Sequence, residues 1–157
     1  MLKKLLFLLF PILSFSQNVT LSDNAKVSIL TCGTAPVSYA MYGHTGIRIT
    51  DFVNQIDVVY NYGAFDFTTP NFMMKFVKGD LQYFVTNENY YDFEFNYKQD
   101  GRSIVEQELN LTSQQKQQLL NELSNSLTSD ERFYTYKFID KNCTTMVVDK
   151  INKILGS

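Results

Sequence analysis

Two runs, GIRITDF and IDVVYNYGAFDF, stand on either side of a turn at Asn54 and constrain the fold more than any other stretch of the chain. In the first, Ile47 and Ile49 fall on one face and Arg48 and Thr50 on the other, which is the period of two that a pleated strand imposes. A hairpin is the simplest arrangement of the pair. Upstream, KVSILTC from Lys26 to Cys32 alternates loosely and is bounded by Gly33 and Pro36, so a first strand is expected there, followed by a short bend carrying Ser38, Tyr39 and Met41.

The second half mixes periods. TTPNFMMKFVKGDLQYFV predicts a short helix through Phe72, Met73, Phe76 and Val77 that stops at Gly79, then a strand from Leu81 to Thr86. ENYYDFEFNY alternates aromatic with acidic or polar residues and reads as a half-exposed strand or an aromatic arm. GRSIVEQELNL reads as a strand, with a helix as its close competitor. Thr112 and Gln115 form a capping box ahead of Leu119, Leu120, Leu123 and Leu127, which share one helical face. FYTYKF, Phe133 to Phe138, reads as an extended segment, and DKNCTTMVVDKINKIL predicts a closing helix that begins close to Cys143. Strands and helices in this order, with no repeat or linker between them, give an α+β class.

The first sixteen residues, MLKKLLFLLFPILSFS, have a basic start, an apolar run and small residues before Gln17, the pattern of a secretory signal peptide. Residues 1–16 are therefore expected to be removed, leaving a single exported domain over 17–157, periplasmic or otherwise outside the cytoplasm, with no transmembrane helix of its own. Fourteen basic residues against sixteen acidic ones give a net charge of -2 and no basic stripe, which argues against a nucleic-acid partner. One histidine and two distant cysteines make a poor zinc set, and no cofactor is indicated.

The residues able to carry chemistry are few. A cysteine in the first turn of a helix meets unpaired N–H groups and the positive end of the helix dipole, both of which favour a thiolate. A helix end supplies only about 1 kcal/mol, so a second partner is required. His44, the sole histidine, is the candidate, as an imidazolium paired with the Cys143 thiolate and then as proton carrier. Asn61, on the strand after the histidine strand, could orient the imidazole or simply bond to backbone. Arg102 and Glu106 could clamp an anionic head group or pair with each other. Phe65, Phe67, Phe72, Phe76, Tyr90, Tyr91 and Phe93 are numerous enough to line an acyl groove, although core packing is the usual fate of such side chains. In an oxidising compartment a Cys32–Cys143 disulfide is the competing expectation, and it would make the domain a non-catalytic envelope binding module.

Four stretches in order, VSILTC with YGHTGIRI, NYGAFDFTTPNF, GRSIVEQELNL and YKFIDKNCTTMVVD, resemble the Lnb N-terminal periplasmic domain family, from about Val27 to Asp149. The resemblance implies a permuted papain-like (NlpC-type) fold, with an antiparallel sheet packed against helices. It also implies a cysteine-dependent acyltransferase of lipoprotein N-acylation. Such an enzyme moves an acyl chain from phospholipid, through a cysteine thioester, to the terminal amine of a diacylglyceryl lipoprotein. His44 then matches the base, Cys143 the nucleophile and Asn61 the orienting residue. Asn142 and Thr144 lie beside the oxyanion, and Tyr42, Arg48 and Arg102 are candidate substrate contacts. Members that continue into a membrane-spanning part suggest a membrane partner subunit here. A cysteine amidase or peptidase acting on envelope peptides is the other reading of the same dyad.

Overall fold

The computed structural model describes residues 19–36 and 40–156; the expected signal peptide and the bend at Ser38 and Tyr39 lie outside the described residues. In chain order the elements are β1 (Lys26–Cys32), β2 (His44–Asp51), β3 (Ile56–Phe65), α1 (Phe72–Lys78), β4 (Gln82–Asn89), α2 (Tyr90–Gln99), β5 (Ile104–Glu108), α3 (Ser113–Thr128), a short 3-10 turn (Asp130–Arg132), β6 (Phe133–Thr135) and α4 (Cys143–Leu155). The six strands form one antiparallel sheet in the order β5-β1-β2-β3-β4-β6. The class is thus α+β, as expected. The hairpin forms in the register Ile47 opposite Tyr60 and Gly46 opposite Asn61.

Alternation along these strands divides the interior in two. Val27, Ile47, Ile49, Tyr60, Tyr62 and Val85 point to one face, where Leu119 and Leu123 of α3 and Val147 and Ile154 of α4 cover them. Leu30, Cys32 and Val59 point to the other, where Phe93 of α2 seals a smaller core with Tyr90 and Tyr97 beside it. Fully burying one such side chain is worth about 1.5–3 kcal/mol, so the larger cluster dominates the stability and fixes α4 against the sheet.

Three of the four helices follow the sequence reading. The Thr112–Gln115 capping box is present, α1 stops at Gly79 with φ 65°, and α4 begins at Cys143. The stretch read as an aromatic strand is instead helix α2. Its aromatics recur at 91, 93, 95 and 97, which mimics a period of two, but Tyr90, Phe93 and Tyr97 also satisfy a helical spacing and meet the sheet. The Asn89 side chain settles the start by accepting the Tyr91 N–H at 2.8 Å. The segment 133–138 contributes only the three-residue strand β6, because its hydrogen-bonded partner β4 pairs with it over Gln82 to Phe84 alone.

Candidate active site at the start of β2 and α4

His44 is the first residue of β2, and the chain reaches it through Gly43 at φ 71°. A side chain at Gly43 would be strained, and its Cβ would also sit 2.7 Å from the Cys32 carbonyl oxygen. Across the sheet the β3–β4 register slips between Asn61 and Ala64, and in this bulge Gly63 lies beneath the imidazole. A Cβ on Gly63 would lie 2.5 Å from His44 Cε1 and 2.9 Å from Nδ1. The absence of that carbon is what leaves space for the ring, so the histidine position depends on a glycine 19 residues further on (63 minus 44). The NYG motif carried this signal, but only the sheet register gives it meaning.

Asn61 Oδ1 accepts the Gly63 N–H at 2.7 Å, and its side chain lines the same recess as the imidazole. Of the two sequence readings of Asn61, the bond to backbone forms. On the same face lies Glu88 of β4, whose pKa burial pushes upward. Sequence reasoning missed Glu88, which β4 delivers to the same face as Asn61.

Burial lowers the His44 pKa to about 4, with the Arg102 charge adding to the effect and the Asn61 hydrogen bond opposing it. The ring is therefore neutral near pH 7. Burial thus favours a neutral imidazole over the imidazolium of the expected ion pair. Its Nε2 is buried and has no hydrogen-bond partner among the described residues.

Cys143 occupies the first position of α4, with Asn142 as the N-cap. Asn142 Oδ1 accepts the N–H groups of Thr144 and Thr145, each at 3.0 Å, and its Nδ2 donates to the carbonyls of Phe138 and Ile139. Both ends of the Asn142 amide and the Thr144 N–H are thereby used in building the helix start. Neither serves as a free oxyanion donor. The helix bonds of the first turn do not consume the N–H of Cys143 itself, which is the donor best placed for that role. One further bond ties the two elements together: Thr45 Oγ1 and Thr144 Oγ1 lie 2.9 Å apart. Each threonine directly follows one of the two candidate reactive residues.

His44 and Cys143 line one cavity of about 50 Å³, walled by Gly63, Phe65, Phe76 and Tyr83 and closed by Tyr42 and Phe138. Outside it a groove of about 330 Å³ runs past Tyr42, Tyr136, Phe138 and Cys143. On the other side of the imidazole a polar recess of about 90 Å³ brings His44 and Asn61 together with Tyr97 and Arg102. The largest concavity, about 730 Å³ between β3 and α3, holds no histidine, cysteine or carboxylate and so lacks a nucleophile–base pair. The candidate cysteine and histidine meet instead at the smaller cavity.

Several expected contacts fall elsewhere. Arg48 donates to both carboxylate oxygens of Asp57 and to Glu106, all at 2.8 Å, and lies 3.4 Å from the Tyr90 ring centre. These bonds hold Arg48 on the α2 side of the sheet, away from the residues that line the His44–Cys143 cavity. Glu106 accordingly pairs with Arg48 and not with Arg102, which donates Nε to the Gly33 carbonyl at 2.8 Å and stacks over Tyr97. Of the aromatics, Phe65 and Phe76 reach the cavity and Phe67 and Phe72 stack behind them. Tyr90 and Phe93 lie on the opposite face, and Tyr91 is exposed. Both cysteines are free thiols, so the Cys32–Cys143 disulfide is not formed. Cys32 is packed among Leu30, Val59 and Phe93, and burial pushes its thiol up to about 11, which makes it an inert core residue.

A thiol on the first turn of a helix that packs on an antiparallel sheet, facing a neutral histidine on an inner strand, defines a class of α+β domain with a candidate cysteine–histidine site. The chain belongs to the Lnb N-terminal periplasmic domain family, whose profile matches residues 14–157. No curated protein and no solved structure matches it. Among the described residues no helix is long and apolar enough to cross a membrane.

Proposed function

We propose that the protein is a thiol acyltransferase of lipoprotein N-acylation, built as a permuted papain-like domain and exported as residues 17–157 after loss of its signal peptide. The observation that carries the proposal is the shared cavity of His44 and Cys143, formed by residues from opposite ends of the chain. His44 takes the thiol proton, and the Cys143 sulfur attacks the ester carbonyl of a phospholipid. The Cys143 N–H stabilises the oxyanion, and the lysophospholipid alkoxide leaves with the proton returned by the imidazolium. The amine of a diacylglyceryl lipoprotein then attacks the thioester, His44 accepts its proton, and the thiol is regenerated. Asn61 acts as a positioning residue, Tyr42 borders the acyl path, and Arg102 faces the anionic part of the donor. A membrane partner subunit could present the lipid.

The test is intact-protein mass after incubation with phospholipid alone. The wild-type chain is expected to gain one acyl mass, labile to hydroxylamine, and to lose it when a diacylated lipopeptide is added; Cys143→Ala gains none. A wild-type chain that never carries the adduct removes the proposal. Cleavage of envelope peptides without lipid would assign the same dyad to an amidase.

A further inference from the structure

The mouth of the Cys143 cavity is set in an unusually apolar surface. Helix α1 contains five apolar residues in seven, Phe72, Met73, Met74, Phe76 and Val77, yet none of its residues is buried. Phe72 and Phe76 turn inward and meet Phe65 and Phe138 at ring-centre distances of 5.6 and 6.1 Å. The outward side carries Met73, Met74 and Val77, which are 57, 59 and 70% exposed. The surface continues across Phe138 to Ile139, which is 84% exposed. Tyr42, edge-on to Phe138 at 6.0 Å, carries it to the rim of the cavity. Exposed apolar surface of this kind, gathered around a functional opening, marks an interaction face.

The charges around it are mostly basic. Lys75 and Lys78 lie on α1, which has no acidic residue, and Lys141 follows Ile139 by two positions, although the chain as a whole carries -2. Of the nearby carboxylates, Asp80 is neutralised by Lys137 at 2.7 Å, and Asp140 stands between Ile139 and Lys141. We propose that this face docks on a bilayer containing anionic lipid. Met73, Met74, Val77 and Ile139 enter the acyl boundary, and Lys75, Lys78 and Lys141 remain at the level of the phosphates. The docked geometry opens the cavity mouth toward the lipid, so an acyl chain reaches Cys143 without first crossing water. The purpose of this docking rests on the acyltransfer reading; the docking itself does not require it.

Flotation of the full exported chain with vesicles tests the proposal independently of chemistry. Cys143→Ala is expected to bind phosphatidylethanolamine–phosphatidylglycerol vesicles as well as wild type does, whether or not an acyl adduct ever forms. Met74→Asp combined with Ile139→Asp should weaken binding by about tenfold or more, and Lys75→Gln with Lys78→Gln by a few-fold, with the lysine effect fading at high salt. Far-ultraviolet circular dichroism and melting confirm that these surface variants stay folded. Wild-type protein that fails to float with these vesicles, or binding that Met74→Asp/Ile139→Asp leaves unchanged, overturns the proposal. A dimer in solution that the same pair of substitutions makes monomeric would also overturn it, by assigning the face to a second copy of the chain.

Discussion

Strand β2 has a polar residue at each end with buried polar atoms, and the two are treated in opposite ways. At its last position Asp51, 1% exposed, accepts hydrogen bonds from Ser22 N and Oγ, Val53 N and Asn54 Nδ2 at 2.7, 2.7, 3.2 and 2.7 Å. Burial would raise its pKa, but the bonds from Ser22 and Asn54 prevail and hold the carboxyl at about 2. At the first position His44 keeps a buried Nε2 with no partner, and burial drives its pKa to about 4. Buried polar groups in proteins are nearly always satisfied, so each exception calls for an explanation, Tyr62 Oη and Arg132 Nε being the others among the described residues. Asp51 ties the 19–22 segment to the β2–β3 turn and is structural. His44 has an unpartnered Nε2 and lines one cavity with Cys143, the arrangement on which the proposed proton transfer rests.

The comparison can be broken from either end. The largest effect is expected from His44→Ala: acylation of Cys143, followed by mass spectrometry, should slow by about 10²–10⁴-fold while melting changes little. A large loss of stability instead would make His44 another structural residue like Asp51. Gly63→Ala should come next, because its Cβ cannot coexist with the imidazole where it now lies; displacement on the order of 1 Å costs about 10²-fold in rate. Asp51→Ala should do the reverse, lowering stability by about 1–3 kcal/mol in denaturant melts with the acylation rate per folded molecule retained. Thr45→Val should be milder, about 1 kcal/mol or less in stability, with a slower acylation rate if the Thr45–Thr144 bond sets the spacing of the site.

pH separates the two ends more finely. Between pH 6.5 and about 4 the unfolded chain protonates His44 while the folded chain does not, so stability falls as pH drops through that window and levels off below it. The Asp51 contribution is lost lower, between 3.8 and about 2, where the folded carboxylate finally takes a proton. His44→Gln should abolish the upper window alone, which pH-dependent melting can read. The smallest effect is expected from Arg102→Gln, which removes a positive charge near the ring and should move the acid limb of the acylation rate upward from about 4. An unmoved limb would mean that Arg102 does not act on His44.

Much of this was legible in the chain itself because it depends on local spacing. The β2–β3 hairpin, the capping box at Thr112 and the start of α4 at Cys143 follow from neighbours within a few residues. Helix α2 was misread because tyrosine and phenylalanine at alternate positions fit a strand as well as a helix, and only Asn89 capping and the waiting face of the sheet decide between them. The bonding of Arg48 and Asn142 is hidden from the sequence for a different reason. A side chain's donors and acceptors are visible in its residue type, but their occupation by Asp57, Glu106, Phe138 and Ile139 is not.

The sequence by itself determined the family, the α+β class and the identities of the thiol and the imidazole, since these reside in motifs and periodicity. Tertiary structure decided that His44 and Cys143 share a cavity, that the ring is neutral and that Cys32 is inert. Those properties arise from burial and from contacts between strands and a helix remote in the chain. The bulge at Gly63, the Arg102 charge and the Thr45–Thr144 bond act at the site only because the antiparallel register of β2, β3 and β4 and the packing of α4 bring them to it.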